Sequence, residues 1–395
     1  MAESPLQNPC QANRLLRACG VKCIGERVKI EADGEPGKRR DEGREIRMSK
    51  APEIVTQEDV ARYAGVSRAI VSYVLNNGPR NVSVETRGRV LTAIDALGYR
   101  PNKHAQRLKL GADAAQNSIG IIAGGKGNNL LRRPYYSVIL AGLFDSAHQL
   151  NQHIRFFTFF EALTDPVFFN KNIHHEEISS LILLLPGVIM EHPEHEKIMP
   201  QIIERIDHIL CLERSIYDLP ALIIDLAAAA QLAVEHLIGL GHRQIGFLAY
   251  PDERTLGYKR TLLMHGIDYD ARLVRTLNSA DVLSSSYALT VDLIEENPDM
   301  TALFTSNDEA ALVAMAALHD HGWRVPDDIA LASIDNTEIA SIMRPALTTV
   351  NLPRHEMVDY ALQFLIAQRE HPVARPASMI LPIELVVRES SGARR

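Results

Sequence analysis

The residues of this chain with the plainest chemical capacity are Arg68, Ala69 and Tyr73, outward positions of a short helical pattern within residues 56 to 76. A guanidinium carries its donors in a fixed fork and reads guanine through two parallel hydrogen bonds. An alanine offers an apolar touch, for instance to a thymine methyl. Side chains near the N-terminal end of such a helix are the ones that reach base edges in a major groove. Two other clusters invite a catalytic reading. Gly124-Gly125-Lys126-Gly127 follows an apolar strand, as phosphate loops do, but lacks the Walker spacing and a third glycine for a dinucleotide fingerprint. His174 and His175 are adjacent and so do not share a helix face, which makes His174-His175-Glu176-Glu177 a polar loop. Cys10, Cys19 and Cys23 have no second Cys or His pair at zinc-finger spacing. No metal and no cofactor is expected, and no catalytic constellation emerges.

Placing Arg68 and Tyr73 outward requires two short helices around a sharp turn. Val60, Ala61 and Ala64 form the apolar stripe of the first. Gly65 breaks it, since glycine tolerates the left-handed exit, and Val66 plugs the small core. Ser67 is a natural cap for the second helix, which is expected to bury Ile70, Val71 and Val74. Ser83 can cap a third helix with Val90, Ile94 and Leu97 on its buried side, closed by Gly98 and Pro101. A helical hairpin in an enzyme is the alternative.

This stretch, with Val82-Ser83-Val84-Glu85-Thr86-Arg87, Val90-Leu91, Ala93-Ile94 and Leu97-Gly98-Tyr99-Arg100-Pro101-Asn102 after it, resembles the headpiece of the LacI/GalR family of bacterial transcriptional regulators. The similarity runs on to about residue 390. It implies an all-α helix-turn-helix headpiece on an α/β core of two doubly wound parallel-sheet subdomains, like a periplasmic binding protein. It implies phosphate contacts at Thr56, Ser67, Asn76, Ser83 and Thr86, which set register and not sequence. Tyr73 stands where many relatives carry arginine, and Ile70 where threonine is common. The junction with Asn102, Ala105 and Leu108 is similar to hinge helices that fold on DNA and enter the minor groove in pairs. There Leu108 would be the wedge that unstacks the central step; a plain linker anchor is the alternative. A headpiece of this size covers half an operator, so a homodimer on a pseudopalindrome is expected.

Charge supports the division. Residues 48 to 110 carry ten Lys/Arg against five Asp/Glu, whereas the whole chain has a formal net charge of −7. A basic module on an acidic body is the asymmetry of a chain that meets phosphates at one end. The expected organisation is an extension over 1–50, a headpiece over 51–101, a hinge and linker over 102–116, and a core over 117–390. Met48-Ser49-Lys50 sits where relatives begin, so Met48 is expected as the initiator. Only Cys211 lies in the expected folded part, so no disulfide framework is implied and a cytoplasmic setting fits. No apolar run reaches the roughly 18 residues of a membrane span, and the first residues lack an export signal. That missing signal and the headpiece oppose the rival reading of a periplasmic sugar-binding protein.

From Ser118 the pattern turns to short apolar strands alternating with helices. Strands are expected at 119–123, 181–185, 209–212, 221–224, 244–249 and near 301–305. Helices are expected at 138–150, 227–240, near 256–265 and at 308–322. Too many units occur for one sheet, so two are expected, with a ligand cleft between subdomains at the carboxyl ends of the strands. The resemblance implies that Tyr135, Tyr136, Glu213, Arg214, Arg254, Asn307 and Asp335 line this pocket for a small-molecule effector, by default a sugar. Glu213 and Arg214 stand where Asp-Arg is usual. Two readings stay open at Asp308, which either joins Asn307 in the pocket or starts the following helix. Arg254 either binds the effector or pairs with a surface acid. Effector binding would rotate the subdomains and part the hinge segments.

Overall fold

The computed structural model describes residues 55–76, 82–99, 117–125, 130–278, 281–372 and 377–392. The expected extension over 1–50, the hinge residues Asn102, Ala105 and Leu108, and Lys126-Gly127 lie outside them.

Three helices come first: α1 (Gln57–Ala64), α2 (Arg68–Asn76) and α3 (Val84–Leu97). Thr56 caps α1 reciprocally. Its hydroxyl accepts from the Asp59 amide, and the Asp59 carboxylate accepts from the Thr56 amide at 2.9 Å. Gly65 closes α1 with φ 62°, a left-handed conformation that side chains with a Cβ resist. Val60, Ala61, Ala64, Val71, Val74, Val90, Ala93, Ile94 and Tyr99 are buried together. Ile70 and Leu97, expected inside, are only half-buried, because so small a bundle encloses a side chain on few sides.

The rest of the chain builds two six-stranded sheets. The first contains β1 (Ser118–Ala123), β2 (His153–Phe159), β3 (Ser180–Leu184), β4 (His208–Glu213), β5 (Ala221–Ile223) and β11 (Met379–Ile380), in the order β11-β5-β4-β3-β1-β2. The second contains β6 (Ile245–Ala249), β7 (Val274–Thr276), β8 (Ala302–Thr305), β9 (Ala330–Asp335), β10 (Thr348–Asn351) and β12 (Glu384–Val386), in the order β12-β10-β9-β8-β6-β7. All neighbours run parallel except β10 and β12. Each sheet reverses its order beside its first strand, β1 or β6, and a crevice opens there at the carboxyl ends.

Both faces of each sheet are covered, so inner strands such as β1, β3, β6 and β8 are buried along their whole length. Along β6, Ile245, Phe247 and Ala249 enter a core shared with the first sheet, while Leu248 enters a core on the far face. Phe247 stacks on Phe304 at 4.6 Å and on Tyr258 at 4.9 Å, and the Tyr258 hydroxyl donates to the Ile245 carbonyl. Each such buried ring contributes roughly 1.5–3 kcal/mol.

The helices that position the cleft are α4 (Pro134–Gln149), α5 (Pro166–Asn172), α6 (Leu226–Gly239), α7 (Glu253–Met264), α8 (Asp308–Asp320) and α9 (Arg354–Glu370). Helix α4 starts four residues earlier than expected, because Pro134 is suited to the first helical turn. Helix α7 crosses α6 at Gly257, where a Cβ would run into the Ala227 carbonyl. Helix α3 rests against the first-sheet body, and Asn170 of α5 donates to the Ile94 carbonyl at 3.4 Å. A cavity of about 200 Å³ at this seam is lined by Leu91, Asp95, Phe169 and Lys197, away from every expected site residue. No helix among the described residues is long and apolar enough to cross a membrane.

Candidate functional site

Two sites emerge, one on the helix pair and one in the cleft. On the helix pair, Ser67, Arg68 and Ala69 are exposed at the start of α2, and Tyr73 is half exposed one turn on. The Arg68 Nε lies 3.4 Å from Gln57 Oε1, which steadies the guanidinium without covering it. Thr56 and Ser83 are the caps of α1 and α3, with Ser83 accepting from the Thr86 amide at 3.2 Å. Helix N-termini of this kind are where backbone N–H groups meet phosphate. Asn76 ends α2.

In the cleft, side chains from the carboxyl ends of both sheets converge on Asp335. This residue ends β9 with φ 120°, and Glu213 ends β4 with φ 80°. Such conformations cost on the order of 1–3 kcal/mol for a residue with a Cβ and cluster where function holds them. Burial pushes the Asp335 carboxyl up to about 8, and nearby Asp308 adds to this against the pull of Arg254, Arg133 and Arg354. Glu213 retains partial exposure, yet loss of water pushes its carboxyl up to about 7. Hydrogen bonds from Tyr135 and Tyr136, with Arg133 and Arg254 nearby, limit that rise.

Tyr135 and Tyr136 open α4 and meet edge to face at 4.9 Å. Both are buried, and the phenols are held well above their usual range by desolvation and by Glu213. Together they form an aromatic wall with an acid at its foot.

Arg254 sits on the first turn of α7. Its Nε donates to Asp252 at 3.0 Å and its Nη1 to the Ser306 carbonyl at 2.6 Å, while the Tyr250 ring lies 4.9 Å from its carbon. Its acid partner is therefore within the cleft wall and not on the open surface. Asn307 is the cap of α8, accepting from the Ala310 amide at 2.9 Å, and its amide nitrogen lies 3.5 Å from the Tyr250 hydroxyl. Asp308 is fully buried and bonded to Thr337 and Thr349. Asp308 is the first residue of α8, but the helix is capped by Asn307, and the Asp308 carboxylate is turned to Thr337 and Thr349.

Arg214 lies apart from this group. It is exposed at the rim and donates to Glu253 at 2.6 Å. Its neighbour Glu213 enters the cleft from the end of β4, where its positive φ turns the chain before Arg214.

Three residues of the cleft have no counterpart among the sequence expectations. Arg133, just before α4, donates to the Tyr250 hydroxyl at 3.1 Å, faces Glu309 at 3.5 Å and lies over the Tyr136 ring. Tyr250, after β6, receives both Arg133 and Arg254 on its ring. Arg354, at the start of α9, lies 5.8 Å over Tyr135 and donates to the Asn336 carbonyl at 2.7 Å. Arg133 has a detectable signal, since it directly precedes Pro134-Tyr135-Tyr136; Arg354 is brought in only by the return of the chain to the first sheet. Among the described residues no group of three or more His, Cys, Asp or Glu is arranged to hold a metal ion.

Known proteins resemble the chain along most of its length. Residues 56–102 match the family described as bacterial regulatory proteins, lacI family, and residues 234–391 match the periplasmic binding protein-like domain. Catabolite control protein A of Priestia megaterium is 30% identical over 345 residues, covering 85% of this chain and 99% of its own. The HTH-type transcriptional regulator CelR of Thermobifida fusca is 28% identical over 348 residues, covering 85% and 98%. Among solved structures, the complex of transcriptional regulator CelR with cellobiose has a TM-score of 0.60 at 26% identity, covering 85% of this chain and 99% of that one. The lac repressor dimer bound to operator and the anti-inducer ONPF also gives 0.60, at 28% identity, covering 86% and 99%. Matched by that family model at residues 56–102 and by relatives over nearly their whole length, the chain belongs to the LacI family of bacterial transcriptional regulators.

Proposed function

We propose that the protein is a homodimeric repressor whose grip on a pseudopalindromic operator is released by a sugar bound in the cleft. Helix α2 reads bases through Arg68, Ala69 and Tyr73, while Thr56, Ser67, Asn76, Ser83 and Thr86 hold phosphates. Asn102, Ala105 and Leu108 enter the minor groove. In this division 51–101 is the headpiece, 102–116 the hinge, 117–390 the effector-binding and dimerisation core, and 1–50 an N-terminal extension. No catalytic step is assigned, and the setting is cytoplasmic. The relatives support this reading: one solved neighbour is a dimer on operator DNA and another holds cellobiose.

The observation that carries the reading is Arg133, which leaves the first sheet and contacts Tyr250 and Glu309 of the second. A ligand entering among Tyr135, Glu213, Arg254 and Asp335 must rearrange contacts that join the two sheets, so occupancy and sheet orientation are coupled. A ligand shifts such an equilibrium only by its preference for one arrangement. A hundredfold loss of operator affinity requires about 2.8 kcal/mol of preference.

Gel-shift titration of the purified protein against the palindromes flanking its gene, across salt concentrations and a sugar panel, tests this. Operator binding that weakens steeply with salt and is released by a sugar is expected. Binding indifferent to sequence, or a response to no sugar, removes the reading.

A further inference from the structure

The three arginines of the cleft do not have equal partners. Arg254 is answered by Asp252 and the Ser306 carbonyl, and Arg133 by the Tyr250 hydroxyl and the charge of Glu309, although its Nε has no hydrogen-bond partner among the described residues. Arg354 has one bond, to the Asn336 carbonyl, and its Nε and Nη1 meet no acceptor among the described residues. Its side chain belongs to a residue only 8% exposed. An unmet N–H on a buried guanidinium is among the costlier arrangements a protein holds. We infer that the cleft is built for an anionic carbohydrate, a polyol bearing a carboxylate or phosphate that sits against Arg354 and Arg133.

The charges of the cleft support this. Asp252 and Glu309 are committed to Arg254 and Arg133. Asp308 has its hydrogen bonds filled by Thr337 and Thr349 and lies within electrostatic reach of Arg388. That leaves Asp335 and Glu213 to balance Arg354, and burial holds both toward their neutral forms. Arg354 therefore carries a positive charge with no committed counter-ion. A ligand anion matches it, while ligand hydroxyls bond to Asp335 and Glu213, and the sugar ring packs on Tyr135 and Tyr136. A neutral sugar would satisfy the acids and leave the guanidinium charge unanswered. Charge-assisted bonds are roughly twice as strong as neutral ones, so the anion decides specificity.

This inference rests on the sugar-effector reading, and matched ligands separate the two. Calorimetric titration and thermal melting of the full chain are run with glucose, glucuronate and glucose 6-phosphate, then with galactose, galacturonate and galactose 1-phosphate. Ionic strength is matched throughout with chloride. The expected result is that one anionic form binds at least about tenfold tighter than its neutral parent, consistent with charge-assisted bonding, and the better arm identifies carboxylate or phosphate. R354Q erases that advantage and R354K keeps part of it; R133Q diminishes it and serves alone if R354Q does not fold. If neutral parents bind as well as or better than both anions, the sugar reading stands and the anionic one falls. An advantage that survives R354Q also overturns it. If no compound of either kind binds, both readings fall together.

Discussion

The Asp308 carboxylate accepts from the Thr349 hydroxyl at 2.7 Å, a bond that fastens the start of α8 to β10. The other carboxylate oxygen accepts from the amide and hydroxyl of Thr337, at 2.7 and 2.9 Å. An acid beside the cleft thus serves the frame, whereas Asp335 accepts no hydrogen bond from a described residue and is open to a ligand.

The first prediction separates these two acids. Asp308→Ala leaves buried Thr337 and Thr349 donors unmet and is expected to cost about 3–5 kcal/mol. Asp335→Ala relieves a desolvated carboxyl and is expected to leave stability near or above wild type while abolishing effector response. Urea unfolding and operator release, measured on both variants, check the contrast. Equal destabilisation would contradict it.

Asp335 also gives a pH signature. Its folded carboxyl titrates near 8, far above its ordinary 3.8. Between those values the folded chain holds a proton that the unfolded chain has released, so this residue lowers stability as pH rises from about 4 to 8. Asp335→Asn removes the effect. The variant's advantage over wild type is expected to widen with pH, by up to about 1.4 kcal/mol per unit. A gap that is flat or narrows with pH would refute the assignment.

Arg68 is expected to carry base discrimination. Arg68→Ala should cost about 1–3 kcal/mol on the preferred operator and relax preference at one base pair. Thr56→Ala, a cap change, is expected to weaken all sequences alike. Selection of preferred sites by the two variants distinguishes them.

Gly257 allows α6 and α7 to touch. Gly257→Ala drives a methyl into the Ala227 carbonyl and is expected to destabilise by about 1–3 kcal/mol, despite alanine's better helix propensity. Thermal melting provides the check; an increase in Tm would show that the crossing has room.

The rim ion pair is expected to matter little. Arg214 and Glu253 are both about half exposed, and such pairs contribute roughly 0–1 kcal/mol. Arg214→Ala should change Tm slightly and effector affinity far less than Arg254→Ala does. Loss of binding on a par with Arg254→Ala would return Arg214 to the pocket.

Sequence carries the helix pair well because its signals are local. Thr56, Gly65, Ser83 and Gly98 each complete a cap within a few residues. Central strands β1, β3, β4, β6 and β8 are equally legible as continuous apolar runs, whereas β9 and β10 are not among the expected strands, β10 being Thr-Thr-Val-Asn. Edge strand β2 is not, because His153–Phe159 mixes exposed and half-buried positions without a clean period. In the cleft, Tyr135, Tyr136, Glu213, Arg254 and Asp335 were reachable by family pattern. Arg354 and Tyr250 were not, since nothing in their neighbours reveals which distant strand ends they will meet. Arg214 shows the limit of pattern: adjacent to Glu213, it faces the other way.

The bridging position of Arg133 has an evolutionary consequence. One side chain joins the two sheets and, in the proposed switch, takes part both in what the cleft accepts and in how firmly its halves are latched. A lineage that exchanges it to admit a new inducer also resets the idle bias of the switch, so drift in taste and drift in basal expression are inherited together.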